Sequence, residues 1–318
     1  MTSLPPPTLT RRLTTWVTLA FLYVYAAWSM TYMALHFALE SLPPFVISAC
    51  RFFLAGWILF AFVAVFQRRD FHWGSPREWR DAAITGTVLF LGGNGSVAWA
   101  QQYVNTSTAA LLFGTIPLFI ILFEWVRPGG IRPTVRTGLG LAMGFVGMCV
   151  LIKPAPEVAH NGMETWGKLV LLVGAVSWAA GAIYSRYHHA KGSPLLPFAR
   201  QMICGGSVLL VLTLVRGDFA HIALPVTLHS VLGFLYLLGP GSLLGYTAYA
   251  WLLRVSTPER VSTVSYINTV LAVLLGWAVG EPMSLRIVIG SAVVVASVVI
   301  VLKKKSVRDT VDATPTEA

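Results

Sequence analysis

Asn94 and Gln101 stand seven residues apart in Leu89–Val104, an otherwise largely apolar run that also carries Gly92, Gly93 and Gly95. On an α-helix, positions 94, 98 and 101 share one face. An amide buried without a partner costs about 1–3 kcal/mol. These side chains therefore staple a neighbouring helix or bind a polar ligand. Further along, Ser262, Ser265, Tyr266 and Thr269 form a stripe at helical spacing with Asn268 beside it. Tyr246 and Tyr249, three apart, follow Gly239-Pro240-Gly241. Trp28 with Tyr32, and Trp178 with Tyr184, add aromatic surface. Pro117 lacks an N–H and so frees a helix carbonyl for a ligand or a water.

The chemistry available to such groups is recognition. A mostly aromatic and apolar lining with a few convergent amides and hydroxyls suits a small uncharged or zwitterionic metabolite. The substrate-binding candidates are Trp28, Tyr32, Asn94, Trp99, Gln101, Pro117, Trp178, Tyr246, Tyr249, Tyr266 and Asn268. Helix packing is the competing explanation for each of them. Two charges stand out as candidates for coupling or gating: Glu124, one turn from a span end and facing Arg127 as an ordinary partner, and Arg51, two turns inside a span.

Catalytic and metal chemistry find little support. Gly162 to Leu169 follows the first positions of a phosphate-binding loop, but Leu169 stands where Ser or Thr must hold magnesium, and no strand precedes it. His188-His189 lacks the i, i+4 spacing of a metal pair on a helix and has no Cys or acid nearby. Cys50, Cys149 and Cys204 are widely spaced in apolar runs and read as packing residues. No cofactor is expected, and an enzyme would need a polar cluster at one face that the chain lacks.

The elements that must position these residues are membrane helices. Of the 318 residues 56% are hydrophobic and 11% charged, with a mean hydropathy of +0.70; soluble domains carry about 25% charged residues. Apolar runs near the length that crosses a ~30 Å hydrocarbon core lie at roughly 13–35, 44–66, 82–102, 107–126, 134–152, 167–186, 195–215, 228–252, 260–279 and 284–302. The first follows Arg11 and Arg12 but has no small-residue cleavage site after it, so it reads as an anchor. If loops alternate from a cytoplasmic N-terminus, 17 Lys and Arg fall on one side and three on the other. That asymmetry places both termini in the cytoplasm. The net charge of +10 thus reports orientation and not a nucleic-acid partner. Residues 303–318 form a polar tail.

An internal repeat sets the architecture. A shift of 152 residues brings Trp99 onto Trp251 and Trp125 onto Trp277; nearer the N-terminus a shift of 150 brings Trp28 onto Trp178 and Gly56 onto Gly206. The expected fold is all-α integral membrane, with ten transmembrane helices as two inverted five-helix repeats (13–152 and 167–302) between cytoplasmic segments 1–12 and 303–318. Five is odd, so the second unit enters from the opposite side. Such symmetry allows one midplane site to be exposed alternately to either face.

The stretches 92–125, 37–60 and 243–277 resemble the EamA permeases of the drug/metabolite transporter superfamily, especially their YedA-like branch. The resemblance covers about Trp16 to Leu302 and implies a ten-helix inverted-repeat carrier of the bacterial inner membrane that exports amino acids or other small metabolites. It also implies an arginine at the position of Arg51. Ser29 and Met30 replace smaller residues usual in relatives, and Thr269 stands where relatives have a proline; Pro117, its partner, is retained. The helix break that proline gives is therefore expected in one half only.

The expected partners are a small-molecule substrate and the lipid bilayer, with no nucleic acid. Gly140-x-x-x-Gly144, Gly241-x-x-x-Gly245 and Gly276-x-x-x-Gly280 have helix-packing spacing and also permit a homodimer through the fifth or tenth span. With Glu124, His36 and the His188-His189 pair as the few proton-relay candidates, transport is expected to follow the metabolite gradient or couple weakly to protons. The alternative is a membrane receptor or scaffold that binds a small ligand without moving it.

Overall fold

The computed structural model describes residues 7–129, 132–152, 162–187, 193–256, 261, 263–278, 280–281 and 284–302. His188, His189, Ser262 and the tail 303–318 lie outside them, as do the side chains of Ser265 and Tyr266. Within the described residues all regular structure is helical. We label the runs α1 (Pro7–Ala38), α2 (Pro44–Phe66), α3 (Pro76–Gly86, Thr87–Gly95 and Ser96–Ala100 in succession), α4 (Thr106–Phe113 and Ile116–Val126) and α5 (Val135–Ile152). The remainder are α6 (Met163–Tyr187), α7 (Leu195–Arg216), α8 (Leu228–Tyr236, Leu237–Leu244 and Gly245–Val255), α9 (Thr263–Ala278) and α10 (Leu285–Leu302).

Among the described residues, six segments are long and apolar enough to cross a membrane: Thr14–Ala38, Pro44–Phe66, Thr106–Val126, Met163–Tyr187, Leu195–Arg216 and Leu228–Leu252. Val135–Gly147, Ile267–Ala278 and Leu285–Ser297 are shorter apolar helices. Large side chains such as Leu54, Ile58, Trp125 and Trp277 face outward, which suits a lipid surround and not water.

Local signals set several ends. Ser75 caps α3 in a reciprocal capping box with Glu78, Asn105 caps α4 through the Thr108 N–H, and Thr227 caps α8 through the Ser230 N–H. Proline opens α2 and α3. Gly217, at φ +70°, ends α7 in the left-handed conformation that favours glycine. α4 is interrupted at Gly114–Thr115, just before Pro117, whereas α9 runs unbroken through Thr269. The single break follows the single proline.

The principal helix pairings are α2 with α7, α5 with α10, α4 with α9, α3 with α6, α1 with α8, α6 with α4, α1 with α9, α3 with α7, α2 with α3 and α2 with α8. Adding five to each label, and wrapping past ten, returns the same set except for α2 with α3. At the α2–α7 crossing the backbones touch: a Cβ on Gly56 would stand 2.6 Å from Ile203 N, and one on Gly206 would stand 2.4 Å from Phe53 N. Small residues are what allow membrane helices to approach this closely.

Candidate functional site

The two segments that shape the site are wide turns. Thr87–Gly95 in α3 and Leu237–Leu244 in α8 are π-helical and start 150 residues apart. Glycines 92, 93 and 95, and Gly239-Pro240-Gly241, supply the loose backbone. Pro240 also removes one donor from the ladder. Polar side chains reach back five residues to close the widened turns: Ser242 Oγ donates to Leu237 O at 2.9 Å, and Asn94 Nδ2 donates to Leu89 O at a long 3.4 Å. Such widened turns are frequent at functional sites. Their neighbours bond the backbone they loosen. Tyr23 OH donates to Pro240 O and Trp28 Nε1 to Gly241 O, both at 3.0 Å, while Ser177 Oγ donates to Val88 O at 2.8 Å.

Aromatic rings from both halves of the chain meet between these turns. Trp28 lies 5.4 Å from Tyr246 and 5.0 Å from Tyr249, centroid to centroid. Phe90, inside the α3 wide turn, lies 6.2 Å from Tyr246, 6.4 Å from Trp178 and 4.3 Å from Phe52. Phe198 reaches Tyr246 at 5.7 Å and Phe113 reaches Trp178 at 5.8 Å. Trp28, Trp178, Tyr246 and Tyr249 thus come together. Phe52, Phe90, Phe113 and Phe198 join them, although in uniformly apolar spans a phenylalanine carries no signal that separates wall from lipid contact.

Arg51 borders this cluster and is only 8% exposed. Its Nε donates to Ser242 Oγ at 2.7 Å, and its guanidinium carbon sits 4.6 Å from the Phe52 ring centre. A charge at the centre of a bilayer costs about 2.5–3.5 kcal/mol on insertion scales, so it needs company. The described residues give it a hydroxyl and a ring face, and no carboxylate.

The amides divide. Gln101 is buried and donates from Nε2 to Tyr32 O of α1 at 3.2 Å, which makes it a staple, while its Oε1 is sealed without a partner. Asn94 is half-buried and bonds only its own helix. Asn94 thus lies in the π-turn and Gln101 in the turn after Ala100, and the two amides take separate partners. Asn268 of α9 pairs with Ser29 of α1, Oδ1 to Oγ at 2.7 Å. Ser29 also bonds Tyr25 O, and one hydroxyl proton cannot serve both oxygens fully. An exchanged amide orientation, with Nδ2 donating to Ser29, satisfies all three groups.

Other candidates stand apart from the cluster. Trp99 packs at a tilt against Tyr103 beyond the α3 wide turn, Tyr32 contributes its carbonyl to Gln101, and Pro117 is buried after the α4 break. Glu124 Oε1 accepts from Tyr187 OH at 2.6 Å and from Arg127 at 3.2 Å, and the Arg127 guanidinium covers the Tyr187 ring. Tyr184 bonds Asp81 at 3.1 Å. The three cysteines are free, and among the described residues no three His, Cys, Asp or Glu are placed to hold a metal.

Two polar clusters escaped the sequence reading. Glu281 accepts from Thr106 N at 2.7 Å, Ser107 N at 2.9 Å and Ser107 Oγ at 2.5 Å, a carboxylate at a helix N-terminus. Arg200, 1% exposed, donates to Glu78 Oε1 at 3.3 Å and to His72 O at 2.7 Å, with Gly74 pressed against its guanidinium at φ +91°. Burial opposes ionisation of Glu78. The Ser75 N–H together with the charges of Arg200 and His72 outweighs it and holds the carboxyl below the usual carboxylate range. Both clusters join residues more than 100 positions apart, beyond the reach of local spacing.

The profile of the EamA-like transporter family matches residues 14–153 and again 165–303. The inner membrane transporter YedA of Escherichia coli (strain K12) is 33% identical over 288 residues, covering 89% of each chain. The transporter YoaV of Bacillus subtilis (strain 168) is 22% identical over 87% of this chain and 94% of its own. A solved crystal structure with 20% identity superposes with a TM-score of 0.59 over 89% of this chain and 95% of that one, a likeness of fold. The chain therefore belongs to the EamA-like transporter family, and is a multi-pass membrane transporter and not an enzyme.

Proposed function

We propose that the chain is an alternating-access carrier: ten membrane helices in two inverted five-helix units (13–152 and 167–302) around a central site, exporting amino acids or related small metabolites. One observation carries the reading. Rings from the two halves meet between a pair of wide turns that start 150 residues apart, Phe90 against Trp178 on one side and Trp28 against Tyr246 on the other. Irregular backbone is tolerated within a membrane only beside protein or water, and the space between the two wide turns is where this reading puts a polar substrate. The exchange of helix partners under a shift of five supports rocking of one unit against the other about the α2–α7 crossing.

The charge distribution supports both termini in the cytoplasm, and the name of YedA supports a bacterial inner membrane. α5 and α10 pack on each other; the outer face of that pair is where a homodimer would form.

Counterflow of labelled substrate in proteoliposomes tests the reading, after a growth-inhibition screen of amino acids and dipeptides with and without overexpression chooses the label. Saturable exchange across the bilayer is expected. Saturable binding without exchange would identify a receptor instead.

A further inference from the structure

We propose that Arg51 is the anion anchor of the transport site, and that the molecule carried presents a single carboxylate to it. The proposal rests on the carrier reading and deepens it. Two other cations on the long apolar helices are paired, Lys168 with Glu164 and Arg200 with Glu78. Arg51, two turns inside α2, has no carboxylate partner among the described residues.

The geometry leaves its working end free. Nε is committed to Ser242. The two terminal nitrogens donate to none of the described residues. Beside them stand the Phe52 ring and Gly241, at which a Cβ would lie 3.5 Å from Nη2; the carbonyl of Gly241 in turn accepts from the Trp28 indole N–H. A planar pair of N–H donors at the edge of the aromatic cluster matches the two oxygens of a carboxylate.

Charge decides among anions. With one unpaired cation, a monoanion leaves the site neutral, whereas sulfate or doubly ionised phosphate leaves a net charge in a low-dielectric region. If the ligand also has an ammonium group, the faces of Trp28, Tyr246, Tyr249 and Trp178 are the cation-binding surface at hand.

The anchor is also connected to the wide turn. Arg51 Nε donates to Ser242 Oγ, and Ser242 donates to Leu237 O across the π-turn. A carboxylate that draws the guanidinium toward itself pulls on the bond that closes this turn, so occupancy and the shape of α8 are linked.

Binding to the purified full chain, read by tryptophan fluorescence and thermal shift, tests the assignment. The panel is the amino acids and monocarboxylates from acetate to phenylacetate, each strong binder paired with its carboxamide, plus sulfate and phosphate. Carboxylates are expected to bind about 10- to 100-fold more tightly than their amides. Arg51→Gln should erase that difference and Arg51→Lys should keep part of it. Should Arg51→Gln fail to fold, the carboxylate–amide comparison on the unaltered protein still decides. Equal affinity for amides, equal affinity for sulfate or phosphate, or no binding of any carboxylate overturns the anchor. Counterflow of a neutral amide as fast as its acid would remove the anchor and leave the carrier standing. Carboxylate binding that depends on Arg51 without any counterflow would do the reverse.

Discussion

Gly56 and Gly206, 150 residues apart, occupy equivalent places in one helix crossing: each leaves room for the other helix's backbone, at Ile203 N and at Phe53 N. A side chain at either position drives α2 and α7 apart. Gly56→Ala and Gly206→Ala are each expected to cost about 1–3 kcal/mol through overpacking. Because both act on one contact, the double variant should lose less than the two losses added together. Gly138, with nothing within 4 Å of a Cβ, is the control, and Gly138→Ala should leave the denaturant midpoint unmoved or raised. Equal effects at all three positions would remove the crossing as a structural pivot.

Glu281 caps α4 from a segment 175 residues away. Its two oxygens take the Thr106 and Ser107 N–H groups, two of the unpaired amides at any helix start. Glu281→Gln keeps one acceptor, replaces the other with a donor, and removes the negative charge that favours a helix N-terminus. A loss of about 1–2 kcal/mol is expected, with faster hydrogen exchange at the Thr106 and Ser107 amides. Unchanged exchange there would show that the cap contributes nothing.

Glu78 gives the protein an acid-side sensitivity. Its carboxyl is held below the usual carboxylate range in the folded state, so folding favours the ionised form. The resulting stability is fully present above the carboxyl's unfolded pKa and is lost as pH falls through the lower, folded one. Glu78→Gln should therefore be less stable than the parent at neutral pH, and the gap should narrow on acidification into the carboxylate range. A gap that is constant or widens in acid would contradict the Ser75 N–H bond and the Arg200 charge as what holds this carboxyl low.

The pattern of apolar runs showed the membrane helices, because lipid imposes a length and a composition on every span. The proline difference between Pro117 and Thr269 foretold which of α4 and α9 breaks. Trp28 and Trp178 were legible as large aromatics at matched positions, and Tyr246 and Tyr249 as a pair three apart behind Gly239-Pro240-Gly241. Phe52 and Phe90 were not, since in a span already rich in Leu and Phe an inward ring looks like an outward one. The π-turns were only half legible. Glycines and a proline mark loose backbone, but a widened turn depends on Ser242 and Asn94 reaching back five residues and on Ser177 and Trp28 filling the space. Glu281 and Arg200 meet their partners through tertiary packing alone.

Glu124 is the carboxylate that a proton-coupled mechanism would most readily use, yet its oxygen is already held by Tyr187 and Arg127. A group so engaged serves the junction of α4 with α6. Glu124→Gln is expected to lower stability by about 1 kcal/mol and to leave substrate counterflow intact. It should also leave any response of uptake to an imposed pH gradient as it was. Loss of pH-driven uptake with exchange preserved would assign Glu124 to coupling.

Solvent reach separates a transport site from a packed core. Asn94 and Asn268 are both half-buried, one in the α3 wide turn and the other against Ser29 of α1. Ile58 is 47% exposed in the middle of α2, where the surround is hydrocarbon. In a chain with Cys50, Cys149 and Cys204 replaced, Asn94→Cys and Asn268→Cys are expected to react with a membrane-impermeant thiol reagent. Ile58→Cys should not, because a thiolate does not form in lipid. The ordering reverses what accessible surface alone suggests, and only a water-filled path from one membrane face to the ring cluster produces it. If residues 94 and 268 stay unlabelled from both faces while a cysteine in the Arg68–Asp70 loop labels freely, the space between the wide turns is dry and the carrier reading loses its site.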